Sequence, residues 1–305
     1  MDAPHLPVLY KEIIHALQPK TAGHYIDGTL GAGGHSAGIL QASAPAGEIL
    51  GFDLDPQALS LARERLSPFG ARAHLVQASY LEMRASAQAL GWETVDGILL
   101  DWGVSSMQID TAARGFSFLQ EGPLDMRFDP HAALTAADLV NTLPEEELAD
   151  ILFRYGEERL SRRIARAVVQ QRPVSTTRQL ADLVLKAVGR PERIHPATRT
   201  FQALRIAVNG ELEAVEQVLP IALGLLKPGG RLAVIAFHSL EDRIAKETFR
   251  RESTDCLCPP RQPVCTCGHM ASIKLINRKP IEAGEAEIKE NPRARSAKLR
   301  IAEKL

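Results

Sequence analysis

Asp27 and Asp53 stand 26 residues apart, and just past the first acid comes a glycine-rich turn, Gly31-Ala-Gly-Gly-His35. Glycines at 31, 33 and 34 let the backbone approach a ligand closely, because no side chain stands in the way. The helix that follows turns its free N–H groups into the same space. Asp53, ending the next apolar segment, can accept hydrogen bonds from both hydroxyls of a ribose, while Asp55 is placed to cap a helix opening at Pro56. Together these residues describe a nucleotide-type cradle. The dinucleotide pattern GxGxxG is not met, since counting from Gly31 its third glycine is Ser36. An acid directly ahead of the turn suits a cationic, amino-acid-bearing ligand better than a pyrophosphate, and S-adenosylmethionine is such a ligand.

Further groups gather around this cradle. Asp101 ends the apolar run Gly97-Ile-Leu-Leu and opens Asp-Trp-Gly-Val-Ser-Ser106, with Gln108 shortly after. Ligands of open parallel sheets sit at the carboxyl ends of strands, so Asp101 is expected to face the site. Amino-methyltransferases commonly place an Asp/Asn-Pro-Pro-aromatic tetrapeptide here, and this chain does not. Tyr80 could stack near an adenine or fill the core. Phe237-His238-Ser-Leu-Glu-Asp-Arg243 reaches the same rim, with His238 either catalytic or structural.

The segment His195 to Asn209 splits into two stripes at helical spacing. Thr198, Gln202, Arg205 and Asn209 share a polar face, and Phe201, Leu204 and Val208 an apolar one. The polar stripe is rich in hydrogen-bonding groups, which favours a functional surface. Arg293 and Arg295 would suit phosphate contacts. Cys256, Cys258, Cys265 and Cys267 form two Cys-x-Cys pairs. They could hold a tetrahedral zinc or stand as loop thiols or disulfides, and no metal is assigned to the site.

Positioning these groups requires alternating strands and helices, as a parallel α/β sheet does. Strands are expected over 24–29, 48–55, 73–78, 95–101 and 231–238. Helices are expected over 34–43, 56–66, 211–226 and 240–251, with Lys227-Pro-Gly-Gly230 as a terminator. Residues 274–281 and 297–302 could form a closing hairpin. Helical period dominates residues 107–210, apart from a loop-like stretch from Gly115 to Pro130. The expected architecture is therefore a Rossmann-like sheet, formed by residues 1–106 and 211–305, with a helical domain of residues 107–210 inserted between its fourth and fifth strands.

Composition adds bounds. The 305 residues are 45% hydrophobic, enough for a full core. The net charge of −1 conceals an asymmetry: residues 151–210 hold twelve Lys/Arg against four Asp/Glu. A basic segment on an acidic body suits a polyanion. The longest purely apolar run, Leu232 to Phe237, is too short to span a bilayer. His5, Lys11 and Glu12 leave no apolar signal core. With cysteines confined to one short segment, a cytoplasmic protein is expected.

The ordered motifs Asp27-Gly-Thr-Leu-Gly-Ala-Gly-Gly-His35, Asp101-Trp-Gly-Val-Ser-Ser106, Arg114-Gly-Phe-Ser-Phe118 and Gly122-Pro-Leu-Asp-Met-Arg127 recur in one known family. So do Tyr155-Gly-Glu-Glu158, His195-Pro-Ala-Thr-Arg-Thr-Phe-Gln202, Phe237-His-Ser-Leu-Glu-Asp-Arg243 and Asn291-Pro-Arg-Ala-Arg-Ser296. From His5 to the C-terminus the chain resembles the bacterial RsmH/MraW family of ribosomal RNA methyltransferases. The resemblance implies a class I methyltransferase sheet and S-adenosylmethionine-dependent methylation of a cytidine N4 amine in the decoding region of small-subunit ribosomal RNA. It implies cofactor contacts at Gly33, Gly34, His35, Asp53, Tyr80, Asp101 and Gln108. Asp101, Ser105 and His238 are candidates to orient or deprotonate the amine. Arg199, Gln202, Arg205, Asn209, Arg293 and Arg295 are candidate RNA contacts, within an assembled subunit or naked RNA. A methyl donor-binding assembly factor that acts by holding RNA is the alternative function.

Overall fold

The computed structural model describes residues 7–189, 194–259, 262 and 264–305. His5, on which the reading of the N-terminus partly rests, lies outside them. The chain divides into two compact units, one of residues 1–103 and 214–305, the other of residues 104–213.

The first unit is built on a sheet ordered β3-β2-β1-β4-β5-β8-β6, with β7 also pairing to β8. Helix α1 (Tyr10–Leu17) precedes β1 (His24–Asp27), α2 (Gly34–Ala42), β2 (Glu48–Asp53), α3 (Pro56–Leu66), β3 (Ala73–Gln77), α4 (Met83–Ala89) and β4 (Val95–Asp101). These four strands pair in parallel. β1, β2 and β4 are short, apolar and mostly buried, the pattern of a parallel sheet covered on both faces, and β3 forms its less buried edge. Alternate residues point to opposite layers. Ile26, Leu50, Phe52, Ile98 and Leu100 enter one core cluster, and Tyr25, Ile49 and Leu99 enter the other. Strand order reverses between β1 and β4, which places a ligand crevice at their carboxyl ends.

The second unit holds α5 (Ser106–Asp110), α6 (Ala136–Thr142), α7 (Glu145–Gly156), α8 (Ser161–Gln170), α9 (Thr177–Val188) and α10 (Ala197–Asn209). Leu148, Leu152, Ile164, Val168, Leu180, Val184, Phe201 and Leu204 form its separate core. On α8 the period of 3.6 sorts residues cleanly: Ile164, Ala165 and Val168 are buried, Arg162, Arg163 and Arg166 exposed. Where α7 meets α10, Gly156 permits close approach, because a Cβ there would lie 2.6 Å from the Arg199 carbonyl oxygen.

Helix α11 (Glu211–Leu225) then leads to β5 (Leu226–Ala236), α12 (Ser239–Glu252), β6 (Ile273–Leu275), β7 (Ile281–Glu282), α13 (Glu285–Glu290) and β8 (Lys298–Lys304). One expectation changes here and one is extended. Lys227-Pro-Gly-Gly230 lies within β5, whose pairing with β4 is irregular between Val95 and Gly97. A shift of register absorbs these residues while the strand continues. The expected closing pair forms with a break in one arm: β6 and β7 both run antiparallel to β8, whose other edge pairs antiparallel with β5. Among the described residues no helix is long and apolar enough to cross a membrane.

Candidate active site

The turn after β1 is held from below by its own acid. Asp27 is buried and accepts from the Ser36 hydroxyl at 2.6 Å and the Thr29 N–H at 3.2 Å. Burial pushes its carboxyl above the usual range, against the Ser36 hydrogen bond that lowers it. Asp27 therefore staples strand end to helix start. Its burial and these two bonds give it a structural part in the turn. Gly33 caps α2 at φ 74°, a left-handed conformation that favours glycine. Gly34 is needed for packing, since a Cβ there would lie 2.5 Å from Pro7 Cγ. A Cβ at Gly31 would meet nothing within 4 Å, so the open side of the turn is there.

Asp53, at the end of β2, faces that open side. Its Oδ2 accepts the Gly31 N–H and its Oδ1 the Asp55 N–H, both at 2.8 Å. Burial raises its pKa to about 6, opposed by those two donors. A carboxylate offers about four acceptor sites, so about two remain for ligand hydroxyls. Asp55 accepts the Gln57 N–H and caps α3. Tyr80 follows β3 at the start of a 3-10 turn, partly buried against the core.

His35, in the first turn of α2, is 6% exposed and stacks on Tyr10 with ring centroids 6.3 Å apart. Its Nε2 lies 3.6 Å from Asp101 Oδ2, too long for a hydrogen bond. Both ring nitrogens of His35, Asp101 Oδ1 and the indole N–H of Trp102 are buried without hydrogen-bond partners. Each such atom costs about 1–3 kcal/mol. Asp101 itself is fixed by its N–H, which donates to Thr29 Oγ1 at 2.6 Å. Unsatisfied polar atoms of His35 and Asp101 thus meet beyond the ends of β1 and β4, while the Trp102 side chain packs into the opposite core layer. With the ribose-ready acid on β2, the His35 nitrogens fit a ligand that carries a ribose and a polar amino-acid end, and Asp101 Oδ1 is left to accept from a second polar group.

His238 stands just beyond β5. Strand β5 stops at Ala236, and His238 is the N-cap of α12. Its Nδ1 accepts the Glu241 N–H at 3.5 Å, and its Nε2 sits 3.0 Å from Glu241 Oε1. That close pair is not aligned as a hydrogen bond, because Nε2 is also without a partner by geometry. Glu241, 1% exposed, returns the cap by accepting the Phe237 and His238 N–H groups. Nδ1 is thus spent on the helix's own first turn, while Nε2 stays a buried atom without a hydrogen-bond partner among the described residues.

Ser105 and Gln108 belong to the helical unit and form a capping box on α5: the Ser105 hydroxyl accepts the Gln108 N–H, and Gln108 Oε1 the Ser105 N–H. The polar stripe of α10 also changes meaning. Arg205 pairs bidentately with Glu211 at 2.7 Å. Gln202 donates to the Tyr155 carbonyl. Asn209 accepts the Phe128 N–H and donates to the Met126 carbonyl. These three brace the unit from within. Arg199 is 37% exposed, 3.5 Å from the buried Glu158. In the sheet unit, Arg293 and Arg295 follow the Asn291 cap, with Arg293 half-buried and Arg295 exposed.

Sequence reasoning missed Thr29, Ser36 and Trp102. Ser36 was legible in one respect, as a polar residue where a dinucleotide fold would carry glycine.

Residues 2–305 match the MraW methylase family. A protein of Geobacter sulfurreducens named ribosomal RNA small subunit methyltransferase H is 54% identical over 311 residues, covering all of both chains. Proteins of the same name from Heliobacterium mobile and Dehalococcoides mccartyi are 51% and 52% identical. They cover all of this chain and 100% and 87% of their own lengths. With one family spanning nearly its whole length, the chain belongs to the MraW methylases.

Proposed function

We propose that this chain methylates the exocyclic N4 amine of a cytidine in the decoding region of small-subunit ribosomal RNA, with S-adenosylmethionine as donor. Its relatives carry the name of a small-subunit ribosomal RNA methyltransferase. The observation that carries the reading is the neighbouring pair His35 and Asp101, whose buried polar atoms lack partners among the described residues beside the glycine turn. When bound, the donor supplies an electrophilic methyl on a sulfonium.

Asp53 holds the ribose with its spare acceptor sites, and the Gly31–Gly34 backbone lets the ligand lie against α2. A cytosine amine is a poor nucleophile, since its lone pair is delocalised into the ring. Asp101 accepts an amine N–H through Oδ1, which draws the lone pair toward attack and gives the departing proton a place to go. Its fixed backbone makes positioning the main contribution. Ser105 and His238 act through the helices they cap. The target base leaves its stack to reach this depth, which favours a loop or opened strand. The exposed arginines of α8, with Arg199, Arg293 and Arg295, take the phosphates.

Incubation with methyl-labelled donor, using small subunits lacking the modification and naked ribosomal RNA in parallel, tests this. Label recovered on cytidine N4 is the expected result, and label on subunits alone means that the folded particle is recognised. Cofactor binding without transfer to either substrate refutes the enzyme reading and leaves the assembly factor.

A further inference from the structure

Between α12 and β6 run twenty residues, 253–272, with neither helix nor strand among the described ones. Loops beyond about 12–15 residues without secondary structure are uncommon in a compact domain unless something else orders them. Apolar burial does not do so: Leu257, Val264 and Met270 are 46%, 69% and 78% exposed. The base of the loop is closed by Ser272 N–H to the Glu252 carbonyl and Ala271 N–H to Asp255. Its tip holds all four cysteines of the chain.

The four sulfurs converge within 4.8 Å of one another. Cys256 and Cys265 are 3.5 Å apart, Cys265 and Cys267 3.6 Å, and Cys256 and Cys267 3.9 Å. A disulfide would bring two sulfurs to about 2.05 Å and leave the others apart. Four thiolates around zinc at about 2.3 Å form a tetrahedron whose edges are about 3.8 Å. The observed separations bracket that edge. Backbone donors are arranged to suit: Leu257 N–H points at Cys267 Sγ (3.3 Å), Cys258 N–H at Cys256 Sγ (3.4 Å) and Thr266 N–H at Cys258 Sγ (3.4 Å). Such outer-shell donors stabilise metal-bound thiolates and fix their direction. All-sulfur donors select soft cations over magnesium or calcium.

We infer that Cys256, Cys258, Cys265 and Cys267 form a structural zinc site that holds this loop in shape. The site is closed, with four protein ligands and no open position, so its role is to order the chain. It stands apart from Asp53 and Asp101 in sequence and in chemistry, and its loading is independent of methyl transfer.

Metal analysis of the full chain, purified under reductant and passed through a desalting column, should give one zinc per chain. Titration with an organomercurial should release that zinc as the four thiols react. Chelator-stripped protein given cobalt alone should develop the visible bands of tetrahedral thiolate coordination, and zinc should abolish them. Cys265→Ser and Cys267→Ser should each weaken zinc binding by more than the ~10–100-fold that follows loss of an outer-shell partner. Limited proteolysis should cut the stripped wild type within residues 253–272 and spare the zinc-loaded form. Four freely reactive thiols in the presence of added zinc, a chain that retains none, iron in its place, or disulfides in the reduced preparation would each overturn the assignment. The stripped wild type decides the matter even if a serine variant fails to fold.

Discussion

Asp53→Asn separates ligand binding from folding at the carboxyl end of β2. In the wild type, burial raises the Asp53 pKa from 3.8 to about 6. Two pKa units correspond to about 3 kcal/mol of cost for the charged form. Partial exposure at the strand end reduces this to about 1–3 kcal/mol. The sign follows from the upward shift: the folded state holds this proton more tightly than the unfolded one. Its contribution to stability is complete below about 3.8 and is lost as pH rises through about 6. Asparagine removes that cost near neutral pH. In exchange, one of the two 2.8 Å donors, from Gly31 or Asp55, faces an amide NH2 instead of an oxygen, at about 1–3 kcal/mol. The two effects nearly cancel, so Tm should move by no more than about 4 °C.

Binding has no such compensation. Hydrogen bonds to a charged acceptor are worth about 1.5–3 kcal/mol each. A net loss of about 2–3 kcal/mol weakens S-adenosylmethionine about 30- to 150-fold. Calorimetric titration across pH provides the second readout. Wild-type affinity should fall about tenfold per unit below about 6 as the carboxylate protonates, while the Asn variant should be flat over that range. Equal affinity in the two proteins, or a wild-type profile without that fall, refutes the ribose role. A collapse of Tm refutes the compensation.

Asp101→Asn should leave donor affinity within a few-fold and lower kcat by about 10²–10⁴; lost donor binding in its place would put Asp101 on the cofactor. His238→Ala should cost about 1–2 kcal/mol of stability through the lost cap of α12, while His238→Asn, which keeps an acceptor there, should restore it. Unchanged unfolding in the Ala variant, with kcat alone reduced, would return His238 to the chemistry. Replacing Arg162, Arg163 and Arg166 together by Ala should lower the slope of log affinity for single-stranded RNA against log salt by about 2; an unchanged slope removes α8 from the interface. Gly156→Ala drives a methyl to 2.6 Å from the Arg199 carbonyl and should destabilise the helical unit by about 1–3 kcal/mol in denaturant unfolding. A neutral result would mean that α7 and α10 separate easily.

Much of the scaffold was legible because its signals are local. Helix 56–66 and strand 95–101 have the bounds that their caps and apolar runs imply. The turn with Asp27 and Asp53 was legible for the same reason, as strand ends and glycines are marked in the chain itself. His238 was harder: a histidine just past a strand reads alike whether it faces the crevice or its own helix, and only the structure shows that Nδ1 caps α12. The stripe of α10 shows the same limit. Helical period tells which side chains share a face, and Glu211, Met126 and Phe128, which meet that face, come from elsewhere in the chain.

Residue order by itself determined the alternation of strands and helices, the glycine turn and the acids at strand ends, since propensity, capping and turn chemistry act over a few residues. Tertiary structure alone decided which polar groups are spent on the fold and which are left over. Gln202, Arg205 and Asn209 found protein partners, whereas His35, Asp101 and His238 Nε2 kept buried hydrogen-bonding atoms that no described neighbour satisfies. That outcome depends on long-range packing, which sets what surrounds a side chain after the local rules have placed it.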